Sequence, residues 1–358
     1  MEMMLLEECC EILDSMRIPI TASNRKEGIY PYYGANGIQD HVADYIFDDE
    51  LVLLAEDGGN FGSKTRPIAY RVSGKCWVNN HAHVLKPKEG LNVDFLCYSL
   101  MFYNTEGLVN GATRQKLTQT TMRKMLIPNL SIENQLYIVN QLNKLLKIIE
   151  LRKKEIQQLD NLTKARFVEM FGDPVANDKG WKMKPLLDMG KCKNGMNFHY
   201  DDSGVEISCL GVGDFKDLSV IDNTKKLSIV SLNEMPSEEY LLKDGDIVFV
   251  RSNGNKDLVG RSLAIYPGKL PTTFSGFCIR YRIHDDEITV PYLLRVLKME
   301  SMRKKMAGRG ANIQNLNQQI LGTLVIPVPP IELQNQFVDF VRAIDKSKFD
   351  TMTFAPIY

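Results

Sequence analysis

The sequence predicts an α+β protein in which two homologous globular domains are separated by long helices that pair with each other. Three observations support this prediction: an internal duplication, short strand-like segments in each half, and one long uninterrupted helix. With 358 residues, the chain is long enough to bury a separate core in each half. Two similar halves also predict a pseudo-two-fold arrangement.

The duplication is clearest where residues 111–139 align without a gap to residues 310–338, which lie 199 positions later. A period this long indicates one domain and its connector used twice, not a solenoid. The segments upstream align more loosely and differ in length, so one scaffold carries two different inserts. Eleven of the 29 aligned positions are identical: Gly111/Gly310, Ala112/Ala311, Gln115/Gln314, Leu117/Leu316, Gln119/Gln318, Ile127/Ile326, Pro128/Pro327, Ile132/Ile331, Glu133/Glu332, Gln135/Gln334 and Val139/Val338.

The first domain is predicted over residues 1–128. Short runs rich in β-branched and aromatic residues, separated by turns with Gly and Asn, are typical of strands. A helix follows, with apolar residues at helical spacing. The predicted strands are Leu51–Ala55, Ile68–Val72, Cys76–Val78 and Ala82–Leu85, and the predicted helix is Val93–Asn104.

Residues 129–172 are predicted to form a helical spacer. From Ser131, a favourable N-cap, to Phe171 there is neither Gly nor Pro, and Gly172 and Pro174 then end the helix. A helix of this length spans roughly 60 Å and needs a second helix beside it. The apolar positions on a 4-3 spacing are predicted to serve helix pairing and partner docking: Ile138, Leu142, Leu145, Ile149, Ile156 and Leu159.

The second domain is predicted over residues 173–327, with a second helix in residues 328–358. The strands are Ile207–Leu210, Asp246–Val250, Leu263–Tyr266 and Phe277–Ile283, followed by a helix at Pro291–Met306. The second long helix starts at Ile331 and carries Phe337 and Val341 in its apolar seam. It is predicted to stop near Lys348, about twenty residues sooner than the first copy, because β-branched residues and a proline follow.

Composition predicts a cytoplasmic protein that does not enter a membrane. The 44 basic and 44 acidic residues cancel, so net charge gives no evidence for a nucleic-acid partner. The acidic N-terminal segment is unlike a signal peptide, and no apolar run approaches the roughly 20 residues of a membrane span. Seven cysteines without a CxxC pair predict reduced, mostly buried thiols.

The order of these elements resembles the specificity subunit of type I restriction–modification systems. The motifs that carry the resemblance are the duplicated block, Tyr30-Pro-Tyr-Tyr-Gly-Ala-Asn-Gly37, Trp77-Val-Asn-Asn-His-Ala-His83 and Met170-Phe-Gly-Asp-Pro174. The resemblance implies that each globular domain is a target-recognition domain that reads one half of a split site in double-stranded DNA. It implies long helices that pair as an antiparallel coiled coil and dock two methyltransferase subunits, in a complex that also contains restriction subunits. The shortened second helix departs from this family pattern.

In the first domain, two loops are predicted to contact DNA. The Gly-rich segment 58–65 lacks the Gly-Lys step of a phosphate loop and is followed by a proline, so it predicts a mobile loop whose polar residues reach DNA. The alternative for this segment is a plain surface turn. For the asparagines of the second loop, the alternative is that their side chains form hydrogen bonds with backbone groups at strand ends. His81 and His83, predicted on one face of a strand, lack two further ligands and predict no metal site. The candidates are Asn60, Ser63, Lys64, Arg66, Asn79, Asn80 and His81.

In the second domain, the polar loop after the strand Asp246–Val250 aligns with residues 56–60 of the first copy. A divergent polar loop on a shared frame is the expected place for variable specificity. Arg residues suit guanine or phosphate, and Asn residues suit adenine. The candidates are Arg251, Ser252, Asn253, Asn255, Lys256, Arg261 and Thr273; the basic stretch 303–309 is a weaker candidate, with a solvated helix face as the alternative.

Signals of catalysis are missing from the sequence. It contains neither the Asn-Pro-Pro-aromatic nor the Asp-Pro-Pro-Tyr tetrapeptide of amino-methyltransferases, no glycine-rich dinucleotide loop and no evident nucleophile–base pair. We therefore predict a DNA-reading subunit with no catalytic residues and no cofactor of its own. Two alternatives stay open: a self-contained DNA modification enzyme, and an inactive variant of the specificity subunit left by the shortened helix.

Overall fold

A computed structural model of the chain describes residues 2–111, 114–198, 203–215, 219–307 and 315–353. Contacts divide the chain into two compact units, Met1–Lys153 and Lys154–Phe354, here called unit 1 and unit 2. The division falls inside the long helix, so each unit contains globular structure and part of that helix.

The described residues of unit 1 form eight strands and four α-helices, the last of which continues into unit 2. Two short 3-10 helices, Asp14–Met16 and Ala22–Asn24, follow the second strand. The elements are β1 Met3–Leu5, α1 Leu6–Cys9, β2 Cys10–Ile12, β3 Glu27–Gly34, β4 Gly37–Val42, β5 Phe47–Ala55, β6 Ala69–Val78, β7 Ala82–Pro87, α2 Val93–Met101, α3 Gln119–Arg123, β8 Leu126–Pro128 and α4 Ile132–Phe171.

The centre of unit 1 is a six-stranded sheet in the order β2-β7-β5-β6-β3-β4, and β1 pairs separately with β8. Residues 51–55 of β5 are buried on both faces, because alternate side chains enter different clusters. Val52 and Leu54 face the cluster that also contains Phe95 and Leu96 of α2, whereas Leu51 and Leu53 face the opposite one.

Unit 2 repeats this plan with additions. Five 3-10 helices connect its strands: Leu186–Asp188, Val212–Asp214, Thr224–Lys226, Glu238–Tyr240 and Lys256–Leu258. The other elements are β9 Lys182–Pro185, β10 Gly190–Asn194, β11 Val205–Leu210, β12 Val220–Ile221, β13 Ser228–Leu232, β14 Asp246–Val250, β15 Ser262–Ile265, β16 Thr272–Phe274, β17 Cys278–Ile283, α5 Val290–Lys298, α6 Glu300–Ala307, α7 Gln318–Gly322, β18 Val325–Val328 and α8 Ile331–Thr353.

The strand orders of the two units correspond. The order β10-β17-β14-β15 in unit 2 matches β2-β7-β5-β6 in unit 1, and the pair β9–β18 matches β1–β8. β14 is also buried on both faces, with Ile247 and Phe249 in one cluster and Val248 in the other. The three-stranded sheet β13-β11-β16 has no counterpart among the described residues of unit 1. The predicted α+β class with two homologous globular parts is thus confirmed.

The helix pair within unit 2 is antiparallel. The ring of Phe337, near the start of α8, lies 5.4 Å from that of Phe167 and 5.6 Å from that of Phe171, near the end of α4. Further along α8, the Lys348 ammonium lies 2.6 Å from the carboxylate of Asp160, which precedes Phe167 in α4. Because the later residue of α8 contacts the earlier residue of α4, the two helices run in opposite directions, as predicted.

One glutamine in each unit joins the start of the long helix to the globular part. Gln135, in α4, is buried; its side-chain oxygen accepts from the Asn92 N–H at 2.8 Å, and its amide donates to the carbonyls of Gly90 at 3.0 Å and Leu130 at 2.8 Å. Gln334, in α8, repeats these bonds to the Thr289 N–H at 2.9 Å and to the Glu287 and Pro329 carbonyls at 2.8 and 2.9 Å. The two residues are identical positions of the duplication, and we call each a glutamine clamp.

Several details of secondary structure differ from the sequence predictions. The strands predicted at Ile68–Val72 and Cys76–Val78 are one strand, β6. The hairpin β3–β4 was not predicted, because its strands are only half-buried and lack a clear alternation. The helix predicted at Pro291–Met306 is two helices, since Met299 adopts an extended backbone (φ −63°, ψ 140°) between α5 and α6. The predicted stop at Lys348 was wrong: α8 continues to Thr353, because β-branched residues cost a helix only tenths of a kcal/mol each.

The cysteines are free thiols, and six of the seven are buried. Burial raises the pKa of Cys76, Cys97, Cys192 and Cys209 to about 12, so these thiols stay protonated at neutral pH. Within the described ranges, none of the helices combines the length and apolar character that a membrane span requires.

Candidate nucleic-acid interface

The loops that follow β5 and β14 are held by the same contact. The Leu117 N–H donates to the Glu56 carbonyl at 2.8 Å, and the Leu316 N–H donates to the Arg251 carbonyl at 2.7 Å. Both leucines are buried and are identical positions of the duplication. The loops starting at Glu56 and Arg251 therefore leave equivalent points of the two units.

A second repeated contact joins each loop to the turn before the next central strand. The N–H groups of Glu56 and Asp57 both donate to the His81 carbonyl, at 2.9 and 3.4 Å. The N–H groups of Arg251 and Ser252 both donate to the Phe277 carbonyl, at 2.8 and 3.4 Å. His81 and Phe277 are therefore structural equivalents, although one is a polar ring and the other an apolar ring.

A third repeated contact lies beneath these loops. The Gln119 amide donates to the Asp14 carboxylate at 2.9 Å, and the Gln318 amide donates to the Asn194 side chain at 3.2 Å. These glutamines are also identical positions of the duplication. Two leucines and two glutamines of the block thus make the same contacts in both units, which gives these identical positions a scaffold role.

In unit 1, the Gly-rich loop is braced by two of its own predicted DNA contacts. The Ser63 hydroxyl accepts from the Thr65 and Arg66 N–H groups at 3.3 and 2.9 Å, and the Asn60 amide donates to the Pro67 carbonyl at 3.4 Å. Lys64 and Arg66 are exposed. The loop also borders a cleft of about 750 Å³ that Phe61, Lys64, Phe102 and Tyr103 line. The two cations are therefore the members of this set that face solvent.

The turn between β6 and β7 separates its polar residues by burial. Asn79 is only 3% exposed and bonds within the chain, donating to Gln39 at 3.1 Å and accepting from the His81 N–H at 2.8 Å. The structure therefore gives Asn79 the strand-end role that was the alternative, and its prediction as a DNA contact is corrected. Asn80 is exposed and His81 is half-buried.

His81 and His83 were predicted to lie on one face of a strand, and this prediction was wrong. His81 lies in the turn before β7, with its ring 3.4 Å from the Asp57 carboxylate, whereas His83 lies within β7 and is completely buried. The prediction failed because His81 precedes β7, which starts at Ala82, so the alternation of faces along the strand does not apply to His81.

Arg114 and Asn36 join the loop surface of unit 1, and the sequence analysis missed both. The Arg114 guanidinium lies 2.5 Å from the Asp57 carboxylate and 3.5 Å from the His81 ring, and its side chain is 60% exposed. Asn36, in the turn of the β3–β4 hairpin, donates to the Gly58 carbonyl at 3.0 Å. Their positions follow from tertiary contacts between segments far apart in sequence, although Arg114 lies within the duplicated block.

Beneath this surface, His83 is the centre of a charged network. Both ring nitrogens face acceptors, the Asp14 carboxylate at 2.7 Å and the Leu117 carbonyl at 2.9 Å. Glu56 also lies near, and among the described residues these are the three side chains that could together hold a metal ion: Asp14, Glu56 and His83. Arg17 lies 2.6 Å and Lys116 3.2 Å from Glu56. These resident cations neutralise the carboxylates, so the group is built as an ion-pair network.

We expect Asp14→Asn to lower the free energy of unfolding by about 2 kcal/mol at pH 7, because buried partners lose a charged acceptor. Burial opposes ionisation of Asp14, but bonds from His83, Val84 and Gln119 hold its pKa below the ordinary 3.8. A carboxyl with a lowered folded-state pKa stabilises above its unfolded pKa, and this stabilisation is lost as pH falls through the folded value.

Denaturant unfolding at pH 7 and at successive values below 4 measures this dependence. The difference between wild type and Asp14→Asn should shrink over the acidic steps. Asp48→Asn, exposed on β5, is the matched control. Equal stability of the two variants at pH 7 would show that the network does not stabilise unit 1.

In unit 2, the predicted loop presents a short polar surface. The Arg251 guanidinium donates one bond, to the Gly276 carbonyl at 3.2 Å, and the side chains of Asn253 and Asn255 accept from backbone N–H groups two residues ahead at 2.8 and 3.0 Å. Ser252 pairs with Asn315 through a β-bridge. The side chain of Lys256 lies outside the described part of the structure.

A basic cluster lies directly after this loop. Arg261 and Arg303 both donate to the Asp257 carbonyl, at 3.3 and 3.5 Å, and Lys298 donates to the Ser219 hydroxyl at 2.6 Å. Burial, together with the positive charge of Arg295, Arg261 and Arg303, lowers the pKa of Lys298 to about 8. Lys298 and Arg295 were not predicted, because they come from a helix far from the loop in sequence.

Thr273, predicted as a DNA contact, is completely buried. Its hydroxyl donates to the Tyr240 carbonyl at 3.0 Å, and its strand, β16, pairs with β11. The prediction is therefore corrected to a structural role, since a polar residue in a strand can be satisfied inside the fold as readily as by a ligand.

The apolar positions predicted for docking fall into two groups. Phe337 is 1% exposed in the core of unit 2 and Val341 packs against that core, so both stabilise the chain itself and neither offers a docking surface. Ile138, Leu142, Ile149, Ile156 and Leu159 are half-buried, and Leu145 is 42% exposed. The unit 1 part of α4 exposes further apolar side chains: Leu136, Tyr137, Leu146, Ile148 and Leu151.

Comparison of the sequence with known proteins gives one consistent result. The type I restriction modification DNA specificity domain matches twice, at residues 1–161 and 178–355. A putative type I restriction enzyme specificity subunit of Haemophilus influenzae is 30% identical over 361 aligned positions, which cover 97% of this chain and 87% of the relative. The StySPI specificity subunit of Salmonella potsdam is 23% identical and covers 82% of this chain and 67% of its own length.

Solved structures share the fold. The crystal structure of a type I restriction-modification S subunit from M. genitalium matches with a TM-score of 0.54 and 16% identity, covering 98% of this chain and 91% of that one. A chain from a structural study of complex assembly and conformational transition in a type I R-M system gives the same TM-score and identity, covering 99% and 95%. At this identity the likeness establishes the architecture alone.

Proposed function

The chain belongs to the family of type I restriction–modification DNA specificity subunits, and from this premise we propose that it reads an asymmetric, bipartite target in double-stranded DNA. Unit 1 reads one half-site and unit 2 the other. The observation that carries the proposal is the repeated frame with unlike residues at equivalent positions, Glu56 against Arg251 and His81 against Phe277. A shared frame with different polar surfaces is what reading two different half-sites requires.

We divide the chain for this function as the sequence suggested. Residues 1–128 and 173–327 are the two target-recognition domains, and residues 129–172 and 328–358 are the spacer helices. The glutamine clamps support this division, because each bonds the start of a helix to backbone groups of the preceding globular part. The DNA-facing candidates are the exposed or half-buried members of the predicted set: Asn60, Ser63, Lys64, Arg66, Asn80, His81, Arg251, Ser252, Asn253, Asn255 and Arg261.

The partners we propose are methyltransferase subunits, in two copies, and restriction subunits. The exposed apolar side chains on the unit 1 part of α4 support a docking role, because clustered exposed apolar residues mark protein interfaces. The methyl transfer and cleavage steps would then belong to those partners, and this chain would supply the choice of sequence.

Methylation mapping of the source strain's DNA, with and without this gene, tests the proposal. We expect one bipartite, asymmetric motif to lose its methylation when the gene is removed. An unchanged methylation pattern would contradict the proposed function. Purified chain incubated with DNA and S-adenosylmethionine tests the enzyme alternative, and we expect no methyl transfer. Recovery of two methyltransferase subunits per chain from the strain would exclude an inactive variant.

We expect alanine at Arg251 or Asn253 to cost about 1–3 kcal/mol of binding free energy at the mapped site, with little loss on random DNA. The reason is that each side chain can pair with a base edge, and within the part of the chain that the structure describes the Arg251 guanidinium uses one donor, in its bond to the Gly276 carbonyl. Competition binding with the mapped site and a scrambled duplex measures both losses.

Arg342→Ala is the matched control, because Arg342 is exposed on α8 and pairs with Asp339. It should change neither affinity. Equal weakening of Arg251→Ala on both DNAs would reassign that residue to a phosphate contact.

A further inference from the structure

Phe277 is an apolar ring placed where the frame of unit 2 meets its predicted DNA-reading loop. Its side chain is 61% exposed, although the residues on both sides of its turn are buried. The ring therefore contributes little to the core of unit 2. Single exposed apolar side chains are common on protein surfaces, and what distinguishes Phe277 is its place beside Arg251 on the predicted reading surface.

The position of Phe277 is defined by its equivalence to His81. Its carbonyl accepts from the Arg251 and Ser252 N–H groups, as the His81 carbonyl accepts from those of Glu56 and Asp57. The Arg251 guanidinium also donates to the carbonyl of Gly276, the neighbouring residue, at 3.2 Å. Phe277 and Arg251 therefore belong to one surface, and a ligand that contacts one lies within reach of the other.

The turn that carries Phe277 is rigid. The Cys278 N–H donates to the Ser275 carbonyl at 2.8 Å, which closes a tight turn between β16 and β17, and the Phe277 N–H donates to the Ser275 hydroxyl at 3.3 Å. The Gly276 N–H donates to the Met196 carbonyl at 2.6 Å, and a Cβ on Gly276 would stand 2.1 Å from the Asn197 side chain. A fixed backbone reduces the ordering cost of a contact made by the ring.

We propose that Phe277 is a specificity-determining residue that contacts a thymine 5-methyl group in the half-site read by unit 2. The inference rests on the proposed function. A phenyl ring cannot exchange hydrogen bonds with base edges, and the thymine methyl is the apolar group that the major groove displays. Contact with it would distinguish A·T from G·C at one position beside the base paired with Arg251.

The equivalent surface of unit 1 is polar, as expected if this position varies with the target. His81 lies between the carboxylate of Asp57 and the guanidinium of Arg114, so it offers donors and acceptors where Phe277 offers a hydrocarbon face. Unlike chemistry at one framed position is what two different half-sites require.

Methylation mapping with Phe277→Ala in the source strain tests the inference in the intact complex. We expect the motif to be kept in the unit 1 half and relaxed at one A·T pair in the unit 2 half. Ile229→Ala is the matched control, because Ile229 is 65% exposed on β13 of the same unit, and it should leave the motif unchanged. If Phe277→Ala abolishes methylation, Phe277→Leu decides: restored methylation at the original motif supports the inference, and continued loss overturns it.

A chemical test isolates the methyl group. The complex purified from the strain is titrated with a duplex of the mapped site and with the same duplex carrying uracil at that thymine. Loss of one methyl contact should weaken wild-type binding about 4-fold and leave Phe277→Ala binding unchanged. Equal responses of wild type and variant would overturn the inference.

The failures can be told apart. If removal of the gene changes no methylated motif, the proposed function fails and this inference fails with it. If the motif exists but Phe277→Ala leaves it unaltered, or Ile229→Ala relaxes it to the same degree, only the assignment of Phe277 fails.

Discussion

Gln334→Leu is expected to lower the free energy of unfolding of unit 2 by about 3–5 kcal/mol, which is a large part of the stability of an ordinary domain. The side chain is completely buried and makes bonds to the Thr289 N–H and to the Glu287 and Pro329 carbonyls. Leucine has a similar volume, so the cost comes from three backbone groups left without partners in an apolar surrounding. For a unit of this size, we expect the thermal midpoint to fall by roughly 6–15 °C.

Thermal unfolding of the full chain, followed by amide exchange in α5 and α8, measures the effect. Gln336→Leu is the control, since Gln336 lies on the same helix with its side chain exposed. It should change the midpoint little. If the two variants have the same thermal midpoint, the clamp does not hold the helix to unit 2. The contacts of Phe337 would then have to hold it.

The duplication itself was evident from sequence, but its purpose required structure. An alignment shows that Gln135, Gln334, Gln119 and Gln318 repeat; it does not show which partners they have. In the fold, the first pair clamps helix starts and the second pair supports the reading loops. Positions that are identical in the two halves therefore belong to the shared frame, and positions that differ are the candidates for what each half reads.

Regular elements with strong patterns were predictable, and irregular ones were not. The strand Asp246–Val250 and the end of α4 at Phe171 agree with the prediction, because uninterrupted apolar runs and a Gly–x–Pro stop depend on local physics. Whether a polar residue in a turn is exposed depends on segments distant in sequence. Asn79 and Thr273 are buried by such segments. Phe277 was predicted as the first residue of the strand Phe277–Ile283, where an apolar side chain is expected in the core, but it is exposed in the turn before β17.

Replacing residues 1–128 with the corresponding segment from another chain of the family is expected to change one half of the methylated motif completely and leave the other half intact. Among the residues that the structure describes, the two apolar clusters of unit 1 consist of unit 1 residues, which supports this expectation. The reading loops are exchanged together with the segment, because Glu56, His81 and Leu117 all lie within the replaced residues.

The new joint should hold because of what the clamp contacts. Gln135 bonds only to backbone atoms, those of Gly90, Asn92 and Leu130, so it recognises the shape of the chain and not its side chains. A foreign domain with the same backbone at that point satisfies the clamp whatever its reading loops contain. The apolar contacts of Ile138 and Val139 with the core of unit 1 are the part that must be matched by the donor.

Methylation mapping of the strain carrying the exchanged gene checks the result, and the reciprocal exchange of residues 173–327 should alter the opposite half of the motif. The same exchange combined with Gln135→Leu distinguishes the role of the clamp at the domain boundary from the role of the DNA-reading domain. If the clamp carries the joint, this chain should lose methylation of both halves together, because a displaced spacer disturbs the whole complex. A motif altered in both halves by the simple exchange would contradict independent reading, since it would require each unit to shape the specificity of the other.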